Sequence, residues 1–581
     1  MKPRLAFVLG LVTMLAALTT GCGAPDERGS AERPALVAFD SCESALEGLR
    51  GAAERHLHEN GHLDSPGIAE EGDAVSAEAA GTAGTAVAGE RGVPEHSTTN
   101  NHETGVEEPD VVRTDGRRVV TVVDGRLRVI DVATRRMTST VELPGGTASG
   151  LLLDGDRALV IAAPDTITMV DIGGPARILG TLTVDGHYVD ARASGGWARI
   201  VVRSAPELAE PYPQGGAEQG RAEQSGAEPA FGRSSIDDWL PGYELRTGGG
   251  TERGRLVDCD RVSHPDDYSA TSLLTVLSID LAGELGIGDP VAIAADGDTV
   301  YGTGSKLYVA HQPGGRTEIH QFDVSRPGTP RYVASGDTDG TLLNQYAMSE
   351  HDGHLRVATT LAPTGRDSMP DSESVVTVLR REEGALVPVD SLAGLGRGER
   401  IYAVRFIGPA AYVVTFRETD PLYTVDLSDP ARPRAVGELK ITGYSAYLHP
   451  AGDGRLIGVG QEADTQGRTL GLQVSLFDVA EPATPRRIAQ HHVAGGRAQA
   501  ETDAHAFLHW PADGLLVLPT ESDALVLRLA GDRFTDLGTI AHATPVLRAM
   551  VIGDELWTVS SSGAVVHDTG TLAERAALPF R

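Results

Sequence analysis

The sequence predicts an all-β chain: a single large β-propeller of eight or nine four-stranded blades, preceded by a short N-terminal helix. Three observations carry that prediction. A unit of roughly 40–50 residues recurs from about residue 108 onward, and periods of that size mark repeat architectures. Each unit pairs an Asp-Gly or Gly-Asp turn with a strand that ends in an apolar residue, then Asp, then an aliphatic. Glycine is abundant, at 70 of 581 residues, as a fold of many tight reversals requires.

The turns are Asp115-Gly116, Asp154-Gly155, Asp296-Gly297, Asp352-Gly353, Asp453-Gly454, Asp513-Gly514 and Gly553-Asp554. Glycine accepts the positive φ that a hairpin demands. The strand ends are Ile130-Asp131-Val132, Val170-Asp171-Ile172, Ile279-Asp280-Leu281, Phe322-Asp323-Val324, Val425-Asp426-Leu427 and Phe477-Asp478-Val479. Three of them run into proline corners, at Pro327, Pro430 and Pro482, where a strand must stop. Units fall near 110–145, 147–185, 187–284, 290–340, 343–392, 400–442, 444–495, 504–541 and 545–579. Nine units can be counted, and eight is the alternative because the third is interrupted. A pair of β-sandwiches competes as a fold, but the regular period disfavours it. The interruption, 205–256, is rich in Gln, Gly, Glu, Pro and Ala with no strand pattern, and reads as a low-complexity insertion.

The N-terminus has a different texture. Met1 to Arg4 is basic, Leu5 to Leu18 is apolar, and Thr-Thr-Gly-Cys follows. That is a signal peptide over 1–21, too short for a membrane span of about 20 apolar residues. Cys22 then stands where a bacterial lipobox cysteine is lipidated, giving a tether over 22–35 and a chain anchored on the extracytoplasmic face of the cell membrane. A plain secreted protein is the alternative. Residues 36–65 hold the helix: Leu46, Leu49, Ala53 and Leu57 form an apolar stripe, with Ser41 as N-cap. Residues 66–96 read as a flexible linker, and the propeller occupies 97–581.

Cysteine arithmetic is short. With Cys22 used by lipid, Cys42 and Cys259 remain as a pair in an oxidising compartment, and a Cys42–Cys259 disulfide is expected. Neither lies in a zinc-ligand spacing. The net charge of −31 argues against nucleic acid, which needs a positive footprint. Membrane contact is expected through the lipid alone, and a monomer without cofactor is expected.

The stretch Ser97-Thr-Thr-Asn-Asn-His-Glu-Thr-Gly-Val-Glu-Glu-Pro-Asp110, running on to Gly116, resembles the entry phrase of the secreted bacterial and archaeal β-propeller family, a family distantly related to WD-repeat propellers. Glu107 stands where Asp is common and His102 where Gln is common. Further blocks agree: Tyr402 to Phe406, Tyr412 to Tyr423, Gly437 to Lys440, Tyr447 to Pro450, Ser349 to Thr360, and His505 to Leu508. The resemblance covers about 97–581. It implies fold and compartment and no particular activity.

In a propeller the innermost strands line the axis, and ligands gather at one mouth. The candidate channel-mouth binding residues are Glu108, Asp110, Asp190, Asn344, Arg405, Tyr444, His505 and Arg548, with Glu107 and Arg192 beside them. Acids, amides and arginines on one axis suit a sugar, a peptide carboxylate or a cation. Equally, they can bond each other and hold blades in register. Adjacent strand residues face opposite ways, so only one of Glu107 and Glu108 can point inward. No His-Glu-x-x-His, Gly-x-Ser-x-Gly or phosphate-loop sequence occurs. A binding or scaffolding module for an envelope protein, peptide or glycan is therefore expected. A hydrolase or lyase using mouth carboxylates on an envelope polymer is the alternative, and a structural metal in the channel is a weaker third.

Overall fold

The computed structural model describes residues 37–60, 93–206, 230–265, 272–362, 372–416, 420–464 and 466–580. The expected signal peptide, the Cys22 lipidation site, the tether, nearly all of the 66–96 linker and the first part of the insertion lie outside them.

Among the described residues the strands make nine four-stranded blades. Blade 1 runs from Val112–Thr114 to Arg136–Glu142, and blade 2 from Ala148–Asp154 to Arg177–Val184. Blade 3 consists of His187–Ser194, Trp197–Ser204, Leu273–Asp280 and Val291–Ala294. Blade 4 runs from Thr299–Gly302 to Arg331–Asp339, blade 5 from Met348–His351 to Ala385–Leu395, and blade 6 from Arg400–Ile407 to Arg434–Ile441. Blades 7, 8 and 9 start at Tyr444–Pro450, Leu508–Trp510 and Val546–Ile552.

The hydrophobic pattern explains the stacking. In blade 1 the second strand is buried from Val119 to Val123 and the third from Leu127 to Ile130, whereas the outermost strand alternates exposed with half-buried. A strand buried on both faces needs a neighbour on each side, which a ring supplies. Apolar clusters join each blade to the next, and the last of them packs Met550, Trp557 and Val566 of blade 9 against Val112, Val119 and Ile130 of blade 1. The ring closes by that packing and by Arg135, which pairs with Glu555 of blade 9.

The repeated Asp has a local task. Oδ1 of Asp171, Asp280, Asp323 and Asp426 each accepts a backbone N–H two residues on, at 3.0 Å. In four blades the Asp also pairs through an oxygen with an arginine opening the fourth strand: Arg177 with Asp171, Arg331 with Asp323, Arg434 with Asp426 and Arg486 with Asp478. These pairs are exposed, so each stabilises by less than about 1 kcal/mol. Their value is geometric, fixing the corner between strands three and four. Asp352 and Gly353 both have positive φ, 48° and 77°, the two-residue reversal expected of Asp-Gly.

Three features differ from the sequence expectation. The insertion is not strand-free: Gly242–Thr247 and Gly250–Arg255 form a hairpin that pairs with Arg177–Val184 and extends blade 2 outward. Polar, Gly-rich strands become ordered there because an existing strand edge supplies their hydrogen bonds. Val291–Ala294, assigned from sequence to the fourth unit, is instead the fourth strand of blade 3, antiparallel to Leu273–Asp280, with Val262–His264 parallel on its outer edge. The N-terminal region also begins with a short strand, Val37–Ala38, which pairs with Val262–His264.

The helix α1 spans Cys42–Asn60. Ser41 caps it, its Oγ accepting from Ser44 N at 3.1 Å. Its buried face is Ala45, Leu49, Ala52 and Ala53, set against Trp239, Leu240, Val257, Val262 and Leu273. The Cys42–Cys259 disulfide is formed and staples the helix start to blade 3. No described helix is long and apolar enough to cross a membrane.

Candidate functional site

The axis of the ring is filled by the chain itself. Residues 95–111, here called the strap, cross it before blade 1 begins. Ser97 N donates to Val551 O at 2.9 Å and Gly553 N to Glu95 O at 2.7 Å, adding the strap to the inner strand of blade 9. Asn100 Nδ2 reaches Tyr447 Oη of blade 7 at 2.7 Å and Ala504 O before blade 8 at 2.8 Å. The His102 ring lies 4.2 Å from that of Tyr346 and 5.1 Å from that of Tyr301. Tyr301 Oη in turn donates to Glu103 Oε1 at 2.8 Å. Glu107 then pairs with Ala193 of blade 3 and Asp110 with Leu151 of blade 2. The fit is close enough to require glycine: a Cβ on Gly150 would stand 2.8 Å from Asp110 N.

The sequence candidates gather around this strap. Glu108, only 3% exposed, has Oε1 3.6 Å from Arg192 Nε and Oε2 3.1 Å from His505 Nε2. Glu107 points the other way, half-exposed, and pairs with Arg113. Asp110 Oδ1 accepts from Arg548 Nε at 2.6 Å, and the same guanidinium reaches Asp503 at 2.8 Å. Asp190 holds Arg192 at 2.6 Å, and Arg192 also donates to Val300 O of blade 4 at 2.6 Å. Arg405 lies over the Tyr346 ring, 5.6 Å from its centroid, with His102 O near its Nη2.

Two candidates stand apart from this network. Asn344 caps the turn before blade 5, accepting from Tyr346 N at 3.1 Å. Tyr444 belongs to an aromatic trio with Tyr402 and Phe416, whose ring centroids lie 4.8–5.4 Å apart. Arg400 lies over the Tyr402 ring at 5.0 Å. Both tyrosines are half-buried, and Phe416 between them is buried.

Sequence reading missed Asn100, His102, Glu103, Tyr301, Tyr346 and Asp503. The first three lie inside the entry phrase, whose polar density was visible while its destination was not.

Charge coupling is strong in the network. Burial alone would raise the Glu108 carboxyl, but Arg192 and then His505 hold it near 2. Burial would lower His505, yet its bond to Glu108 and the charges of Asp110 and Asp503 push it up to about 9. Burial lowers His102 well below its ordinary range, reinforced by Arg405. A depressed carboxyl stabilises the fold above its unfolded value and loses that contribution as pH falls. A raised histidine stabilises below its unfolded value and loses that contribution as pH climbs to its folded value. The melting temperature is therefore expected to be greatest from about pH 4.5 to 6.5, falling toward pH 2 on one side and toward pH 9 on the other. A pH series of thermal melts checks this. A curve flat from pH 5 to 9 that is unchanged by His505→Gln would contradict it.

Curated relatives match part of the chain. An uncharacterized protein of Methanocaldococcus jannaschii is 39% identical over 237 residues, 41% of this chain and 36% of its own. One of Archaeoglobus fulgidus is 33% identical over 229 residues, 39% of this chain and 34% of its own. The matched stretch thus spans about a third of either relative. Among solved structures, a eukaryotic initiation factor aligns with 80% of this chain and 96% of its own, at TM-score 0.43 and 11% identity. Apo AztD from Citrobacter koseri aligns with 80% and 94%, at TM-score 0.37 and 12% identity. The profile of the Beta propeller domain matches residues 96–572, from the strap through blade 9. With a closed ring of blades behind that match, the chain belongs to the β-propeller domain family.

Proposed function

We propose that the protein is a membrane-anchored extracytoplasmic lipoprotein whose propeller is a binding or scaffolding module for an envelope protein, peptide or glycan. The observation that carries this reading is the trio Tyr402, Phe416 and Tyr444 with Arg400 against it, where the first strands of blades 6 and 7 begin and the second strand of blade 6 ends. Two half-buried tyrosines on a buried Phe416, beside a guanidinium, are the kind of side chains that dominate binding surfaces. The axis is taken by the strap, so a ligand is received on the rim and not in a bore. A propeller is a rigid frame for such loops, and a lipid tether at Cys22 would hold it near envelope targets.

The carboxylates that a hydrolase would use do not favour that alternative. Glu108 and Asp110 are buried, and each is held by a guanidinium. General acid–base work needs a carboxyl poised near the working pH and open to substrate.

The test is crosslinking on intact cells, comparing the parent chain with Tyr402→Ala/Tyr444→Ala. Truncating two contact tyrosines should lower capture of the envelope component by about 10-fold or more, with folding verified by the melt. Equal capture by both chains would remove the trio as the site.

A further inference from the structure

The rim trio has a buried carboxylate beside it. Glu501, on the short helical turn Gln499–Glu501 between blades 7 and 8, is 5% exposed. Its Oε1 accepts from Gln461 Nε2 at 2.6 Å and from Ala498 N at 3.0 Å. Oε2 accepts from no described residue and is not sealed from solvent. Gln461 is the ladder partner of Tyr444, and cross-strand partners carry their side chains on one face. Glu501 therefore stands beside Tyr444. The Tyr444 hydroxyl also has no partner among the described residues and is open to solvent. Burial and then the charge of Glu501 push it up to about 12, against Arg497 and Arg400, so it keeps its proton to donate.

The other tyrosine is placed by a bulge. The first strand of blade 6 slips register between Ile401 and Ala403, so Tyr402 is the extra residue and leaves the ladder. A bulge re-aims the side chain it carries. The first strands of blades 3 and 9 bulge near the same place with the aliphatic Val189 and Leu547, whereas blade 6 puts a tyrosine there. Arg400 lies over that ring and donates to its hydroxyl at 3.1 Å. Arg497, exposed, acts on both Tyr444 and Glu501.

These side chains select by chemistry. A cationic ligand meets Arg400 and Arg497, and Arg400 already holds the Tyr402 face. An anionic one meets Glu501 and a chain of net charge −31. An uncharged ligand with hydroxyls meets an acceptor in Glu501 Oε2 and donors in Tyr444 and the two arginines. A sugar supplies such hydroxyls, each both donor and acceptor, and C–H groups that pack on a tyrosine ring.

We propose that the rim of blades 6 and 7 is a saccharide site, in which Glu501 and the Tyr444 hydroxyl take sugar hydroxyls and the Tyr444 ring packs on C–H groups. This rests on the trio as the binding surface, and it narrows the partner to an uncharged glycan.

The test uses the full chain with Cys22→Ser, which blocks lipidation so that membrane contact reports the protein surface. It is bound to envelope fragments, untreated or stripped with proteinase K, and to vesicles of lipid extracted from them. Undiminished binding to the stripped fragments is expected, with none to the vesicles. Glu501→Gln should bind the stripped fragments about 10-fold less or weaker still, the size of one lost hydrogen bond to a charged group. Tyr444→Phe keeps the ring and removes the hydroxyl, for an expected loss of about 3-fold or more, and it carries the comparison should Glu501→Gln melt early. Unchanged binding by both variants overturns the proposal, and so does equal binding to the lipid vesicles. Binding that needs Tyr402 and Tyr444 but disappears after proteinase K overturns the saccharide and leaves the rim reading in place, with a protein or peptide as partner. A Tyr402→Ala/Tyr444→Ala chain that binds like the parent removes the rim itself.

Discussion

Replacing Glu108 by glutamine is expected to destabilise the protein by about 3–5 kcal/mol, the range for removing one partner from a buried ion pair. Glutamine keeps the shape and a hydrogen-bonding oxygen, so the loss is electrostatic. Arg192 would keep Asp190, and His505 would keep Asp503, but the shared anion between them is gone. For a chain of this size the unfolding entropy is about 1 kcal/mol per degree, so the melting temperature should fall by about 3–5 °C. The strap itself should loosen further than the melt implies. It is held by discrete polar anchors instead of a ladder along its length, so hydrogen exchange over 97–111 should accelerate while blade cores stay protected. Glu107→Gln is the matched control. Its carboxylate is half-exposed beside Arg113, and such a pair contributes at most about 1 kcal/mol. Equal effects from the two variants would show that the strap is not held by the inward acid.

Loss of the Cys42–Cys259 disulfide is the second large effect. The two residues are 217 apart, and in the chain-entropy model a closed loop of that length stabilises by about 5 kcal/mol. Beyond it, the helix is held by the two-residue pairing of Val37–Ala38 with Val262–His264, by Phe39, by a bond from Arg50 to Ser234 O and by a small apolar face. Full burial of Leu49 with Ala45, Ala52 and Ala53 contributes about 4 kcal/mol at most, and a lone 19-residue helix is marginal in water. A Cys42→Ser/Cys259→Ser chain should therefore keep its ring while the helix undocks, with proteolytic cleavage moving into 37–60. Trp239 packs on that helix and is the reporter: its emission should shift to the red. An unchanged cleavage pattern would mean that the apolar face suffices.

Much of this molecule could be read locally. The Asp that ends each third strand bonds a backbone N–H two residues away, and Asp352-Gly353 turns within itself. Such contacts lie inside one short window, so residue type alone reveals them. The helix at 42–60 announced itself by its stripe and by Ser41, and Cys42 and Cys259 were the pair left once Cys22 was assigned to lipid. The entry phrase showed its importance through its residues, and Glu108 and Arg548 were picked out as axial.

What those residues face was decided by tertiary structure. Glu108 meets His505 across 397 positions and Asp110 meets Arg548 across 438. No periodicity encodes a meeting of that kind, since it depends on how the blades close. The count of nine blades waited on the same closure, because the third and fourth strands of blade 3 come after a long interruption. The hairpin at 242–255 is likewise unreadable from its polar sequence, since its order comes from the free edge of blade 2. The sequence by itself determined the blades, their corners, the stapled helix and the pool of axial charges. Only the closed ring decided that those charges bind the chain's own strap, because burial among opposite charges is a property of the assembled axis and of no segment within it.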